Sequence, residues 1–463
     1  MSMPNPPTKD HLDPDEHRAW GKSCREACPR RSHAIWETTD DRDPVAILSK
    51  QAERRLQFLL PIRNARMLAN PFAFYRGSAA VMAADLALTP TSGLDAQLCG
   101  DAHLSNFGVF GSPERALVFD CNDFDETHRG PWEWDVKRLA VSAVLLGRYR
   151  GWSPKSQREL ARVVGATYRL SMADFATKGR LAVWYSRLTD DVILDLARDP
   201  DNRATVERQF RKARLNDVSR AIAKYTEVVD GRRRFVHQPP LVIRLDEAMT
   251  LDQAASLHRM IYELFGEYLA SLPSYLRVLM GGYELVDVAL KVVGVGSVGT
   301  RCFIALLKGR DDDDLMILQV KEADRSVLEP HTQPSEFVNQ GERVVVGQHL
   351  MQAATDQLLG WSRVGDNDYY IRQFRDMKGS VNLERVNEKM AGAYLAMCAW
   401  TLARAHARSG SRIAIASYLG KGTNFDAALV EFSLSYAEQV ARDYERFAAA
   451  ASDGRIEVAE SAY

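Results

Sequence analysis

The chain has 463 residues, a length that fits two to four packing units or one large two-lobed enzyme. Its 60 Lys and Arg stand against 61 Asp and Glu, a net charge of −1, so no global field recruits nucleic acid or an anionic membrane surface. A polar, proline-rich start, no apolar run of about 18 residues, and six cysteines read as free thiols point to a soluble, cytoplasmic protein.

In chain order, residues 1–42 read as a loosely ordered N-terminal arm. Regular structure is expected from 43, where Asp43 precedes the helically spaced "PVAILSKQAERRLQFLLPIRNARML". A turn and a short helix follow in "NPFAFYRGSAAVMAADLAL", then the loop "GDAHLSNF" (100–107) and the acidic run "VFDCNDFDET" (118–127). Helices are expected over 132–150, 155–178, 203–229 and 248–272. From 283 the period becomes two: "YELVDVALKVVGVGSVGTRCFIALLKGRDDDDLMILQVKEA" alternates, turns at glycines and at an Asp-rich tip, and alternates again, as antiparallel strands do. A helix over 334–359, a strand in "DYYIRQF" and long helices over 384–409 and 424–450 complete the reading.

An Asp and an Asn on one loop, with a further Asp at the end of a following strand, suit phosphoryl transfer. One carboxylate serves the acceptor hydroxyl, while the carboxamide and the second carboxylate hold magnesium on nucleotide phosphates. Capping of turns by Asp101 and Asn106 is the alternative reading of the loop.

The run "ALVFDCNDFDETHRGPWEWDVKRLAVS" resembles the protein-kinase-like superfamily, and most closely its aminoglycoside-phosphotransferase branch. Residue by residue, the resemblance implies Asp101 as catalytic base, Asn106 as magnesium ligand and Asp123 as the metal Asp, with Asp120 ranked behind it. Asp135 would brace the catalytic loop from the following helix, and His103 would fix the loop's shape. No Lys follows Asp101 where eukaryotic protein kinases carry one, which implies a small-molecule acceptor. "GVGSVG" (294–299) is followed by alternation rather than a helix, so it resembles a kinase small-lobe hairpin and not a Rossmann turn. Gly294, Gly296 and Gly299 would then cover the ATP phosphates and Lys321 would neutralise them. Glu342 or Glu336, from the next helix, would pair with Lys321. In ordinary kinases the glycine loop and Lys precede the catalytic loop; here they follow it, which implies a circular permutation. The features "FYRGSAA", "GDAHLSNFG", "NDFDETHRGPWEWDVKRLA" and "ARAHARSG" in this order resemble the bacterial uncharacterised family called domain of unknown function twenty-two fifty-two, over roughly residues 45 to 445.

The expected fold is therefore α+β, a permuted, protein-kinase-like, two-lobed architecture. Residues 43–282 and 377–463 would build a mainly helical large lobe around a β-rich nucleotide-binding lobe at 283–376. The expected function is ATP- and magnesium-dependent phosphoryl transfer to a small-molecule or metabolite-like hydroxyl. The alternatives are nucleotidyl transfer on the same fold, a metal-dependent hydrolase using Asp101, His103 and Asp123, and an inactive nucleotide-binding protein. Arg76, in "FYRGSAA", either reaches a phosphate from the substrate side or braces Asp101 or Asp123.

Overall fold

The computed structural model describes residues 12–196, 200–245, 251–292, 294–374 and 377–460. It is a mixed α+β structure built from a helical body and a six-stranded antiparallel sheet. At the centre of the body runs the helix Glu133–Tyr149, buried on nearly every face from Glu133 to Gly147. A helix apolar only on one stripe would sit at the surface; this one is wrapped by neighbours. Around it pack Pro154–Thr177, Glu388–Ser409 and Asn424–Ser452, with Trp132 stacked on Tyr168 at 5.1 Å between ring centroids. Arg42 ties the first and last parts of the body together, donating to Asp85 (2.7 Å) and Asp443 (2.5 Å), all three side chains nearly sealed from solvent.

The sheet runs in the spatial order 360–364, 367–373, 315–323, 302–308, 284–291, 242–244. Lys321 lies on its third strand, opposite Cys302 on one side and Tyr370 on the other. The helix Gln340–Met351 packs against both the sheet and the helical body. Among the described residues, no helix is long and apolar enough to cross a membrane.

Four expectations differ from what is seen. Residues 12–42 are not a loose arm. Asp13 caps the helix Pro14–Ala27 in a reciprocal capping box with Glu16, Pro14 opens it, and Tyr418 donates its hydroxyl to the Cys28 carbonyl (2.9 Å). Residues 1–11 lie outside the described residues. The helix expected over 203–229 breaks, because Asp217 caps a new helix at Val218 and an Asp230–Gly231 turn closes a short hairpin, 226–229 on 232–235. The helix expected over 334–359 contracts to Gln340–Met351, opened by Asn339. The sheet also takes an edge strand, Val242–Arg244, from before residue 283. The start expected at 248 for the next helix falls outside the described residues.

The anchoring of the N-terminal segment has a pH signature. His33 is fully buried, 2.7 Å from the Tyr418 hydroxyl; burial, then the Lys137 charge, pushes its pKa down to about 3. Below the unfolded value of about 6.5, the unfolded chain takes up a proton that the folded state refuses. Stability from this group is therefore full above that value and is lost as pH falls. Between about pH 7 and about pH 5, wild type is expected to lose on the order of 1–2 kcal/mol relative to His33→Gln, read from urea midpoints.

Candidate active site

The strand Asp95–Leu98 pairs antiparallel with His128–Pro131, and the loop "CGDAHLSN" leaves its end. Gly100 turns this loop at φ +81, where a Cβ would sit 2.1 Å from the Glu126 carbonyl oxygen, so no side chain fits there. Asp135, in the first turn of the central helix, accepts the Cys99 amide (2.8 Å) and the Gly100 amide (3.1 Å) on its two oxygens. His406 Nε2 lies 3.3 Å from the same carboxylate, and Tyr168 holds the other ring nitrogen of His406 at 2.8 Å. A buried relay of three side chains thus fixes the entry to the loop.

Asp101 follows, its side chain 18% exposed. Arg138 Nε donates to it at 2.7 Å and is itself positioned by the Tyr75 carbonyl (2.8 Å) and the Tyr75 ring (4.0 Å). Burial raises the Asp101 pKa above the ordinary carboxylate value, against the pull of Arg138 and Arg76. His103 Nε2 is 3.7 Å from Asp101; burial, then Arg76 and Arg138, push its pKa down, so the imidazole is neutral. Asn106 donates its side-chain amide to the Asp101 carbonyl (2.8 Å), so its amide oxygen points away from that carbonyl.

The hairpin 107–111/117–121 carries the chain to the acidic run, where the Asn122 amide donates to the Asn106 carbonyl (2.8 Å) and locks the two segments together. Asp123 is one-third exposed and 3.8 Å from Lys321 Nζ. Burial and then Asp125 raise its pKa, so the carboxylate welcomes a further cation. Asp125 accepts from Lys321 and from the Tyr370 hydroxyl (2.7 Å). Burial would raise the Asp125 pKa, but Lys321 and Tyr370 outweigh it and hold it below the usual range. Burial likewise opposes the Lys321 charge, and Asp123 and Asp125 together keep that lysine firmly protonated. Asp120, the rival of Asp123, is buried elsewhere: both its oxygens take Arg404 at 2.7 Å and one takes the Ala353 amide at 2.9 Å.

Gly294 and Gly299 adopt positive φ (68 and 92), and the loop they frame is tied down from the helical body. Arg55 donates to the Gly296 (2.7 Å) and Val298 (2.6 Å) carbonyls and Arg66 to Gly294 (2.5 Å). Gly294 and Gly296 face the cleft, whereas Gly299 packs on Arg55, where a Cβ would meet that side chain at 3.1 Å. Glu342 does not pair with Lys321. Asn339 caps its amide (3.1 Å), and the next residue, rotated about 100° around the helix, faces inward instead. That residue, Arg343, donates to the Asp125 (2.9 Å) and Asp324 (2.8 Å) carbonyls. Glu336 is exposed. Among the described residues, the acidic partners of Lys321 are Asp123 and Asp125.

Two cavities meet here. The smaller, about 240 Å³, is lined by Asp101, His103, Asn106, Asp123, Arg76 and Glu126, among others. The larger, about 680 Å³, takes Lys321, Gln319, Arg372, Gln373, Phe374 and Phe110. They share Asp123, Gly294 and Ser297. Three residues of this site went unread in the sequence. Glu126 is pushed up to about 7 by burial, against the Val327 amide (2.8 Å). Tyr370 stood unremarked in "DYYIRQF". Arg138 sits three residues after Asp135, a helical spacing that puts both on the loop.

Among the described residues no three His, Cys, Asp or Glu side chains form a metal site. Comparison with curated proteins and with solved structures gives no match. Residues 55–450 match the family model described as "Uncharacterized protein conserved in bacteria (DUF2252)". That span includes the loop 100–107, the acidic run, the glycine loop, Lys321 and the bracing residues Arg404 and His406, and on it the chain belongs to the DUF2252 family.

Proposed function

We propose that the protein is an ATP-dependent phosphotransferase acting on a hydroxyl of a small molecule, on a permuted protein-kinase-like fold. The observation that carries this reading is the junction of the two cavities at Asp123, Gly294 and Ser297, with Asp101 lining only the smaller and Lys321 only the larger. A donor site and an acceptor site sharing one carboxylate is the arrangement in-line phosphoryl transfer needs. The larger cavity lies within the range of about 300–1,000 Å³ usual for small-ligand sites, adequate for a nucleotide.

In this reading ATP enters the larger cavity, and Lys321 with the amides of the glycine loop counters the charge of its phosphates. Asp123 and Asn106 offer hard oxygen donors, which fit magnesium, and the ion would neutralise charge on the phosphates when bound. Asp101 takes the proton of the acceptor hydroxyl as its oxygen bonds to the γ-phosphorus. The bond from that phosphorus to the β–γ bridging oxygen breaks, and ADP leaves. A raised pKa suits Asp101 to this work.

The test is incubation of the purified protein with γ-labelled and α-labelled ATP, separately, with cell extract as the source of acceptor. Transfer of the γ label is expected; transfer of the α label means nucleotidyl transfer, and transfer of neither sinks both readings. Calorimetry gives a second check. ATP affinity is expected to require magnesium in wild type and to fall at least about tenfold in Asp123→Ala, the loss typical of a charge-assisted ligand. Tight zinc binding through His103 without nucleotide would favour a hydrolase instead.

A further inference from the structure

We infer that the acceptor carries an anionic group, a phosphate or a carboxylate, beside the hydroxyl it presents, and that Arg76 with Lys50 and Arg325 in the smaller cavity binds that anion. The inference rests on the phosphoryl-transfer reading for the identity of the acceptor hydroxyl. It deepens that reading by naming the acceptor's class.

Charge accounting around the cavity supports it. Asp123 and Asp125 face Lys321 and feel Arg372, Glu322 pairs with Arg301 (2.8 Å), Asp324 with Arg54 (3.0 Å) and Asp101 with Arg138 (2.7 Å). Arg55 spends its donors on carbonyls of the glycine loop. Glu126, pushed up to about 7, carries at most part of a charge near neutral pH. Three cations remain on the wall: Arg76, Lys50 and Arg325. No hydrogen bond or ion pair holds any of them among the described residues, and Arg76 Nε is buried without a partner. Bracing Asp101, the other role open to Arg76, already belongs to Arg138.

Arg76 is partly buried, and a guanidinium whose Nε is sealed without a partner is costly unless an acceptor reaches it. Two oxygens of a carboxylate or a phosphate do so in a bidentate manner, a geometry that an arginine offers and a point-charge lysine does not. The position also suits the task. Arg76 shares the cavity with Asp101 and His103, and its carbonyl is close enough to Gly296 that a Cβ there would meet it at 3.2 Å. An anion held by Arg76 would thus sit between the catalytic-type loop and the glycine loop. At about 240 Å³ the cavity is sized for a compact acceptor group.

The test titrates the full-length protein calorimetrically with glycerol, glycerate and glycerol 3-phosphate, matched hydroxyl compounds bearing no anion, a carboxylate and a phosphate. At least one anionic compound is expected to bind about ten- to a hundredfold more tightly than glycerol, with the tighter of the two naming the anion. Arg76→Gln should abolish that preference. Equal binding of all three, no binding by either anion, a preference that survives Arg76→Gln, or one that disappears with Lys321→Met and not with Arg76→Gln, overturns the inference. If Arg76→Gln fails to fold, the double variant Lys50→Gln/Arg325→Gln, changed only at exposed side chains, decides by the same criterion. Label transfer is scored separately: an anion preference without transfer sinks the phosphoryl-transfer reading alone, and transfer to neutral acceptors without a preference sinks the anion site alone.

Discussion

Asp101→Asn is expected to lower single-turnover phosphoryl transfer by about a hundredfold to ten-thousandfold, the usual contribution of a positioned acid–base group, while magnesium-ATP binding stays nearly intact. The substitution keeps an oxygen that can accept from Arg138, and Arg138 retains the Tyr75 carbonyl, so the loop has no reason to collapse. On the proposed reading, what it removes is the proton acceptor. Lys321→Met should act on the other side of the junction, weakening nucleotide binding, because its charge is felt in ground state and transition state alike. Equilibrium ATP binding beside single-turnover rates for each variant separates the two. An Asp101→Asn protein with wild-type turnover would reduce the loop to a turn cap.

Asp120→Ala carries the largest expected cost in stability. Arg404 and Asp120 are each about 1% exposed, and Arg404 Nε and Nη1 already lack partners, so nothing nearby can take over the stranded guanidinium. The Ala353 amide loses its acceptor as well. Breaking one side of a buried pair costs about 3–5 kcal/mol, and the urea midpoint should fall accordingly. Asp120→Leu combined with Arg404→Met should recover part of the loss, because both buried charges are then gone. A single variant as stable as wild type would mean that Arg404 finds water.

Much of the candidate site could be read from the chain because its pieces are local. Asp101 and Asn106 share a loop, Asp123 follows the second strand after it by two residues, and glycine turns followed by alternation mark the hairpin that bears Lys321. Their convergence, with Lys321 Nζ 3.8 Å from Asp123, depends on sheet register and on the helical body, which short patterns do not encode. The misassigned partner of Lys321 shows the limit. One step along a helix separates Glu342 from Arg343, and only packing decides which faces inward. Asp125, by contrast, sits in an acidic run with nothing local to mark its partners, and its pairing with Lys321 and Tyr370 spans more than 190 residues. The N-terminal segment was misread for a different reason. Its polar, proline-rich start suggested disorder, yet "DPDE" holds a cap, an N1 proline and the acid that completes the box.

The long-range bracing of the site also sets the order in which a working molecule can come into being. Asp120 and Asp135 appear early on the ribosome, but Arg404 and His406 are 284 and 271 residues further on. Asp85 meets Arg42 early but must wait for Tyr436, 351 residues away. A nascent chain that has just exposed Lys321 therefore holds Asp101, Asp123 and their lysine but lacks Arg372 and Tyr370 on the cleft wall and the groups that fasten Asp120 and Asp135. Contacts of such separation form slowly, and intermediates that await them are open to chaperones and proteases. Completion of the last two long helices is thus the step that turns a synthesised polypeptide into a competent one, and a release or stall before residue 404 leaves a product with the chemistry-bearing side chains but with Asp120 and Asp135, beneath them, unfastened.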